Sequence, residues 1–354
     1  MTATKTLGLT ATFGHGWMVM GYRKERTSLI TGPNSGFSGS ALAKVIHFVL
    51  FWLCLERNRT HHLHDLDLTS IKKRILIITT WRSGSTFLGD LIKSAPSVFY
   101  SFEPLLYLDN HPGSKTELIQ SLFHCRFSLG YLRSANGLTG LPNDMQRNKR
   151  VWSECIHNRT LCSDPEFVAH LCSSFPIHLI KTVRLSVKEL PALLESDPVL
   201  SKELKIIHLV RDPRAIMTSR AKLKWCQNNP ACKNASRLCA DMEEDLQLMN
   251  GLVTRFPNQY YRLKFEDLAV DVEMETDKLF RFLEMPVTVS TRAFLDSHTK
   301  SNDQKMKENF LDFDHSTYRK SDAVAYGWKK KMGEKVIANI TEICKPALEM
   351  LNMF

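Results

Sequence analysis

The chain has no two cysteines at C-x-x-C spacing, no long apolar run and no G-x-x-x-x-G-K-[ST] loop. Without C-x-x-C pairs, a zinc ribbon or a redox dithiol is disfavoured. Without the P-loop lysine or a magnesium-binding pattern, an ATPase or kinase is disfavoured. No internal repeat or long low-complexity block appears, and 43% hydrophobic with 24% charged residues excludes wholesale disorder. At ~150 residues per domain, the 354 residues make one large domain with extras, or two small ones.

What is present points to the luminal side of a secretory membrane. Of nine cysteines, Cys54 lies in the apolar stretch Val45 to Leu55. The other eight, Cys125, Cys155, Cys162, Cys172, Cys226, Cys232, Cys239 and Cys344, form an even set that reads as disulfides. Eight cysteines allow ~105 pairings, so connectivity stays open. Acceptor sequons for N-glycosylation stand at Asn58, Asn158, Asn234 and Asn339. The apolar stretch falls short of the ~20 residues of a typical span, but taken from residue 41 to 55 it reads as a type II signal-anchor in a thin membrane. Residues 1–40, with Lys5, Arg23, Lys24 and Arg26, then form a cytosolic tail, with Lys44 at the anchor's start. Residues 56–71 form a stem, in which Arg57 and Arg59 blur the charge asymmetry. A buried core helix is the alternative for the apolar stretch, and a long leading segment opposes a cleaved signal. His61, His62 and His64 read as solvated linker, so no metal site is expected. The net charge of +10 attracts polyanions, whether nucleic acid, anionic glycan or phosphate-bearing cofactor. A luminal location removes nucleic acid from that set.

From Arg74 onward, apolar runs of strand length alternate with helical patterns: Ile75 to Thr79, Val98 to Tyr100, His178 to Val183, Lys205 to Val210 and Tyr260 to Phe265. Continuous apolar strands between helices predict a parallel sheet covered on both faces. Ligands of such sheets bind beyond the carboxyl ends of the strands, so the loops after Thr79 and Val210 are the expected seat of chemistry.

The first loop is Thr80-Trp-Arg-Ser-Gly-Ser-Thr86. Gly84 lets the backbone approach a ligand, and the open amides of the next helix, with the hydroxyls of Ser83, Ser85 and Thr86, offer donors to an anion. Arg82 adds a fixed charge; a plain helix cap is the alternative. At the second loop, Asp212 suits an N-cap and Pro213 the first helical position. Arg211 and Ser219 converge on a second phosphate there, unless Arg211 and Arg214 merely make surface ion pairs. In Ser101-Phe-Glu-Pro104, the proline holds Glu103 extended. A glutamate aimed into a cleft acts as general base toward a sugar hydroxyl where burial raises its pKa above the usual ~4.3; a solvated surface glutamate is the alternative.

Four ordered stretches, Thr79 to Gly89, Phe102-Glu-Pro104, Ile180-Lys-Thr-Val-Arg-Leu185 and Leu209 to Arg220, together resemble the Golgi galactose, N-acetylgalactosamine and N-acetylglucosamine 6-O-sulfotransferase family. The resemblance covers roughly residues 72–350. It implies an α/β, P-loop-like sulfotransferase fold, with a central parallel sheet and helices on both faces, in a luminal domain at 72–354. It implies 3′-phosphoadenosine 5′-phosphosulfate (PAPS) as sulfuryl donor. Trp81, Arg82, Ser83, Gly84, Ser85, Thr86 and Phe87 then belong to the 5′-phosphosulfate loop, and Arg211, Arg214 and Ser219 to the 3′-phosphate motif. It further implies in-line transfer to a sugar hydroxyl without metal, with Glu103 as base, Arg82 and Lys181 balancing developing charge, and Arg184 orienting the acceptor. The implied partners are a glycan or proteoglycan chain and the Golgi membrane, with a homodimer left open. Thr86 stands where the family often has serine. Lys264-Phe265 replaces Arg-Tyr, a change expected to affect packing more than chemistry. Tyr326-Gly-Trp-Lys-Lys-Lys331 resembles a late Trp-basic segment whose lysines cover nucleotide, bind acidic polysaccharide or form a solvated face. A glycan-binding protein without turnover and a nucleotide-dependent kinase are the alternatives.

Overall fold

The computed structural model describes residues 73–110, 113–139, 143–299 and 325–354. The expected tail, anchor and stem at 1–71 and the sequon at Asn58 lie outside them. Among the described residues no helix is long and apolar enough to cross a membrane.

Five strands form one sheet: β1 (Lys73–Ile78), β2 (Val98–Phe102), β3 (Ile177–Thr182), β4 (Leu204–Val210) and β5 (Tyr260–Lys264). Their order is β2-β3-β1-β4-β5, and every pairing is parallel. Side chains alternate between two cores, as the period of two demands. Leu76, Ile78, Phe99, Ile180 and Ile206 pack into one. Ile75, Ile77, Tyr100, Leu179, Ile207 and Leu209 pack into the other. Because both faces are covered, β2 and β3 are buried at every position. The expected strand at Val98 to Tyr100 runs two residues further, to Phe102, which delivers Glu103 to the sheet's carboxyl edge.

Six helices position or brace the loops at that edge. They are α1 (Ser85–Lys93), α2 (Pro213–Arg220), α3 (Ala235–Arg255), α4 (Phe265–Val270), α5 (Glu334–Ile343) and α6 (Lys345–Leu351). β1 is central, with β3 and β2 on one side and β4 and β5 on the other, so the loops after β1 and β4 meet in the crevice where the order switches direction.

All eight expected cysteines are in disulfides: Cys125–Cys172, Cys155–Cys162, Cys226–Cys232 and Cys239–Cys344. The first two staple the long connection between β2 and β3. The third closes a short loop after α2, and the fourth ties α3 to the α5–α6 junction. Cys125, Cys172 and His178 place their ligand atoms within 4.8 Å of one another. The two sulfurs are bonded to each other, so this cluster offers no thiolate to a metal.

Candidate active site

The turn from β1 into α1 needs a left-handed residue, and Gly84 supplies it at φ 91°. A Cβ there would stand 2.4 Å from the Phe265 ring. No side chain caps α1, and its first turn holds no acidic residue, so the N-terminal amides and the positive end of the helix face an open anion position. Ser83 is completely buried, and its hydroxyl has no hydrogen-bond partner among the described residues. A buried orphan hydroxyl costs roughly 1–3 kcal/mol, a cost that a ligand oxygen would relieve. The donor set of this loop therefore fits an anionic phosphosulfate.

The second junction interlocks with the first. Asp212 accepts the Arg214 N–H at 2.8 Å and Pro213 opens α2, as its sequence signals require. Arg211 donates from Nη1 to the Arg82 carbonyl at 2.9 Å and lies 4.2 Å from the Phe265 ring centroid. Arg82, itself left-handed at φ 77°, donates from Nε to Ser219 Oγ at 3.1 Å. Thr79 Oγ1 donates to the Leu209 carbonyl at 2.6 Å. Arg82, Arg211 and Ser219 thus form one cluster between β1 and β4.

Arg214 is placed elsewhere. Its guanidinium is bound by both Asp212 oxygens and the Met353 carbonyl, and it stacks 4.7 Å over Trp328. The expected phosphate ligand is therefore turned into a brace for the Trp-basic segment, whose Trp328 is buried while Lys329, Lys330 and Lys331 are exposed.

The third wall is built by β2 and β3. Glu103 is buried, with Oε1 accepting from Lys181 Nζ at 2.6 Å and Oε2 from Arg184 Nη1 at 2.6 Å. Here an expectation fails: Glu103 is not extended but left-handed, at φ 45°. Its N–H donates to the Lys181 carbonyl and its own carbonyl accepts from Leu106 N–H at 3.0 Å. The chain must leave the sheet and start the Pro104–Asn110 turn in one step, and that demand overrides the bias of the following proline.

A sulfotransferase domain model matches residues 72–352. The chain belongs to the sulfotransferase family. It is 26% identical to carbohydrate sulfotransferase 1 of Mus musculus, over 80% of this chain and 79% of that one. It is 27% identical to carbohydrate sulfotransferase 5 of Homo sapiens, over 78% and 76%. Among solved structures, the sulfotransferase domain from the curacin biosynthetic pathway has the same fold, with a TM-score of 0.50 at 16% identity over 81% of this chain and 99% of that one.

In this sulfotransferase the remaining expected residues fall around the loop. Trp81 meets Trp225 edge to face at 5.8 Å, and Phe87 packs on Phe294 at 5.6 Å. Thr86 is half-buried at the start of α1. Asn158, Asn234 and Asn339 are all exposed, so each sequon is accessible to a glycosyltransferase.

Two site residues escape a reading of the sequence. Arg220 is buried and donates to Thr80 Oγ1 at 2.8 Å, to the Trp81 carbonyl at 3.3 Å and to the Cys232 carbonyl at 3.0 Å. Burial lowers its pKa to about 10, which leaves it charged at neutral pH. It ends the Leu209 to Arg220 stretch, but nothing in the sequence says it points back under the loop. Glu266 accepts the Asp212 N–H at 3.1 Å, and its second oxygen is buried without a hydrogen-bond partner among the described residues. Burial pushes this carboxyl up to about 7. Its neighbour Phe265, expected to matter for packing, forms the floor under both Gly84 and Arg211.

Proposed function

We propose that this enzyme transfers a sulfuryl group from PAPS to a hydroxyl of galactose, N-acetylgalactosamine or N-acetylglucosamine in a glycan or proteoglycan chain, with the 6-hydroxyl as the position attacked. The carrying observation is the two-loop cluster of two arginines and a serine, Arg82, Arg211 and Ser219, with a buried glutamate on the neighbouring strands. The names of the carbohydrate sulfotransferases that resemble this chain support a sugar acceptor.

PAPS supplies, when bound, an activated sulfuryl group whose sulfur–oxygen bond to phosphate breaks as the bond to the sugar oxygen forms. The chain's own residues do the rest. Ser83, the α1 amides and Arg82 hold the 5′ phosphosulfate oxygens, while Arg211 and Ser219 hold the 3′-phosphate. Glu103 takes the acceptor hydroxyl's proton. Both its oxygens carry cations here, so it accepts that proton as Lys181 or Arg184 turns from the carboxylate toward the sulfuryl oxygens. Those cations then balance the charge of the transferring group, the task electrostatics performs in phosphoryl transfer.

The domain would work in the Golgi lumen behind the 41–55 signal-anchor. The four disulfides and the exposed sequons support an oxidising, glycosylating compartment. The test is label transfer from sulfur-labelled PAPS to desulfated keratan, desulfated chondroitin and an N-acetylglucosamine-terminated glycan, with Arg211→Ala alongside. Label on one of these, lost in the variant, is expected. PAPS binding without transfer to any sugar would instead favour a glycan-binding protein that has lost turnover.

A further inference from the structure

The segment that follows α2, residues 221–233, is tied to the β1 loop at several points, and the proposed chemistry does not use it. Arg220, the last residue of α2, donates to the Trp81 carbonyl at 3.3 Å and to the Cys232 carbonyl at 3.0 Å. Leu223, Cys226 and Cys232 are buried and form a small apolar cluster against which Trp81 packs. The Cys226–Cys232 bond closes the segment on itself. Trp225 meets the Trp81 ring edge to face at 5.8 Å, yet it stays 43% exposed.

An indole is thus held open to solvent one ring contact away from the residue that precedes Arg82, the side chain placed above on the 5′ phosphosulfate. Tryptophan carries one of the largest apolar surfaces of any side chain, and burying it would stabilise the fold. Here the fold leaves much of it in water. The charge around it has one sign, because the sequence holds no acidic residue between Asp212 and Asp241. Lys222 and Lys224 on one side of Trp225 in the chain, and Lys233 just past the disulfide, are all exposed. No carboxylate of the segment offsets them, so the local field favours an anion.

We propose that Trp225 stacks on a sugar of the acceptor chain beside the one that is sulfated, with Lys222 and Lys224 pairing that chain's anionic groups, so that the enzyme prefers an acceptor already carrying uronate or sulfate. A pyranose ring presents a face of C–H bonds that packs flat on an indole and leaves the equatorial hydroxyls free. Lysine is a flexible point charge that meets a carboxylate or a sulfate without demanding one geometry. That suits a polymer whose charged groups vary in position. The donor's phosphates are assigned to other groups, the β1 loop, Arg211 and Ser219, so the platform is free for the acceptor. This rests on the sulfuryl transfer to carbohydrate proposed above and narrows its acceptor to a polyanionic chain.

The test uses the full chain with two pairs of acceptors that differ chiefly in charge: chondroitin and its carboxyl-reduced form, and keratan sulfated only on N-acetylglucosamine and desulfated keratan. In a pair it labels, wild-type enzyme is expected to favour the anionic member about tenfold in kcat/KM, a preference that shrinks as salt is raised. Trp225→Ala is expected to raise the acceptor KM about tenfold with the PAPS KM unchanged, and Trp225→Phe to recover most of the loss. Lys224→Glu is expected to narrow the anionic preference while leaving the KM of the neutral member unchanged. Equal or better use of the neutral members overturns the inference without any variant and leaves the sulfotransferase reading intact, as does label on an uncharged N-acetylglucosamine-terminated glycan alone. An unchanged acceptor KM in Trp225→Ala overturns it as well. So does a Trp225→Ala enzyme whose PAPS KM and thermal stability worsen along with the acceptor KM, since that marks a brace for Trp81. Wild type that labels no glycan at all overturns the functional reading and this inference with it.

Discussion

At the scale of single residues, the site depends on two buried carboxyls with opposite duties. Glu103 is held by two cations at 2.6 Å each. Glu103→Gln keeps the shape and removes the proton acceptor, so kcat is expected to fall about 10²–10⁴-fold while equilibrium binding of PAPS persists. Stopped turnover with intact donor binding checks it; an unchanged kcat would remove Glu103 as the base. Glu266 has no such compensation. Its pKa rises from the ordinary 4.5 to about 7 because burial penalises the charged form more than the Asp212 N–H and Arg211 favour it. The sign follows from linkage. Its stability contribution is full below about 4.5, where both folded and unfolded chains hold the proton, and it is lost as pH rises toward 7, where only the folded chain still holds it. The loss approaches about 3 kcal/mol. Glu266→Gln is expected to flatten the fall of Tm between these two pH values. Asp245, raised to about 6 by burial, tilts the curve the same way, so the difference between wild type and variant isolates Glu266. Neither carboxyl's environment could be read from the chain alone. Glu103 stood out through its proline and motif, but its left-handed backbone follows from the step out of β2 into the Pro104–Asn110 turn. Glu266 carries no sign of its burial in the sequence, and only the packing of α4 under the Arg211 turn reveals it.

At the scale of elements, the β1–α1 turn is set by a backbone constraint and a close neighbour together. Gly84 combines φ 91° with the Phe265 ring 2.4 Å from where a Cβ would sit. Gly84→Ala must either flatten the left-handed turn or push the ring from beneath Arg211, at a cost of roughly 1–3 kcal/mol. Either response moves the α1 amides. PAPS affinity is expected to fall at least tenfold, and adding Phe265→Ala is expected to lower stability further, because it empties a buried ring site, without restoring affinity. Donor titrations and melting curves on the single and double variants test this. The strand and helix positions themselves were legible. Observed boundaries lie within a residue or two of those expected, because apolar runs and the Asp212-Pro213 start are local signals. The cross-bracing of elements was not, since Arg220 beneath the loop and Arg214 on Trp328 are choices between directions that spacing does not encode.

At the scale of the whole molecule, the sheet order puts β1 between β3 and β4, so the Arg211 loop after β4 and the Glu103 wall of β2 and β3 lie on opposite sides of the β1 loop. The parallel sheet was predictable from strands buried on both faces. The order was not, because every permutation of five apolar strands shows the same pattern. Connectivity of the eight cysteines was likewise beyond the sequence, and the observed pairing yields two bonds with contrasting duties. Cys239–Cys344 spans 105 residues and joins α3 to the α5–α6 junction, whereas Cys226–Cys232 spans 6 and its Cys232 carbonyl receives Arg220 under the Trp81 loop. Chain-entropy arguments assign about 4.7 kcal/mol to the long closure and about 2 kcal/mol to the short one. Replacing Cys239 and Cys344 by alanine is expected to lower Tm by roughly 10 °C with little change in the PAPS KM. Replacing Cys226 and Cys232 is expected to do the reverse, with a smaller change in Tm and a several-fold rise in the PAPS KM as Arg220 loses its anchor. Melting curves and donor kinetics on both double variants would separate a bond that holds the fold from one that holds the site. Equal effects of the two on the donor KM would refute that division.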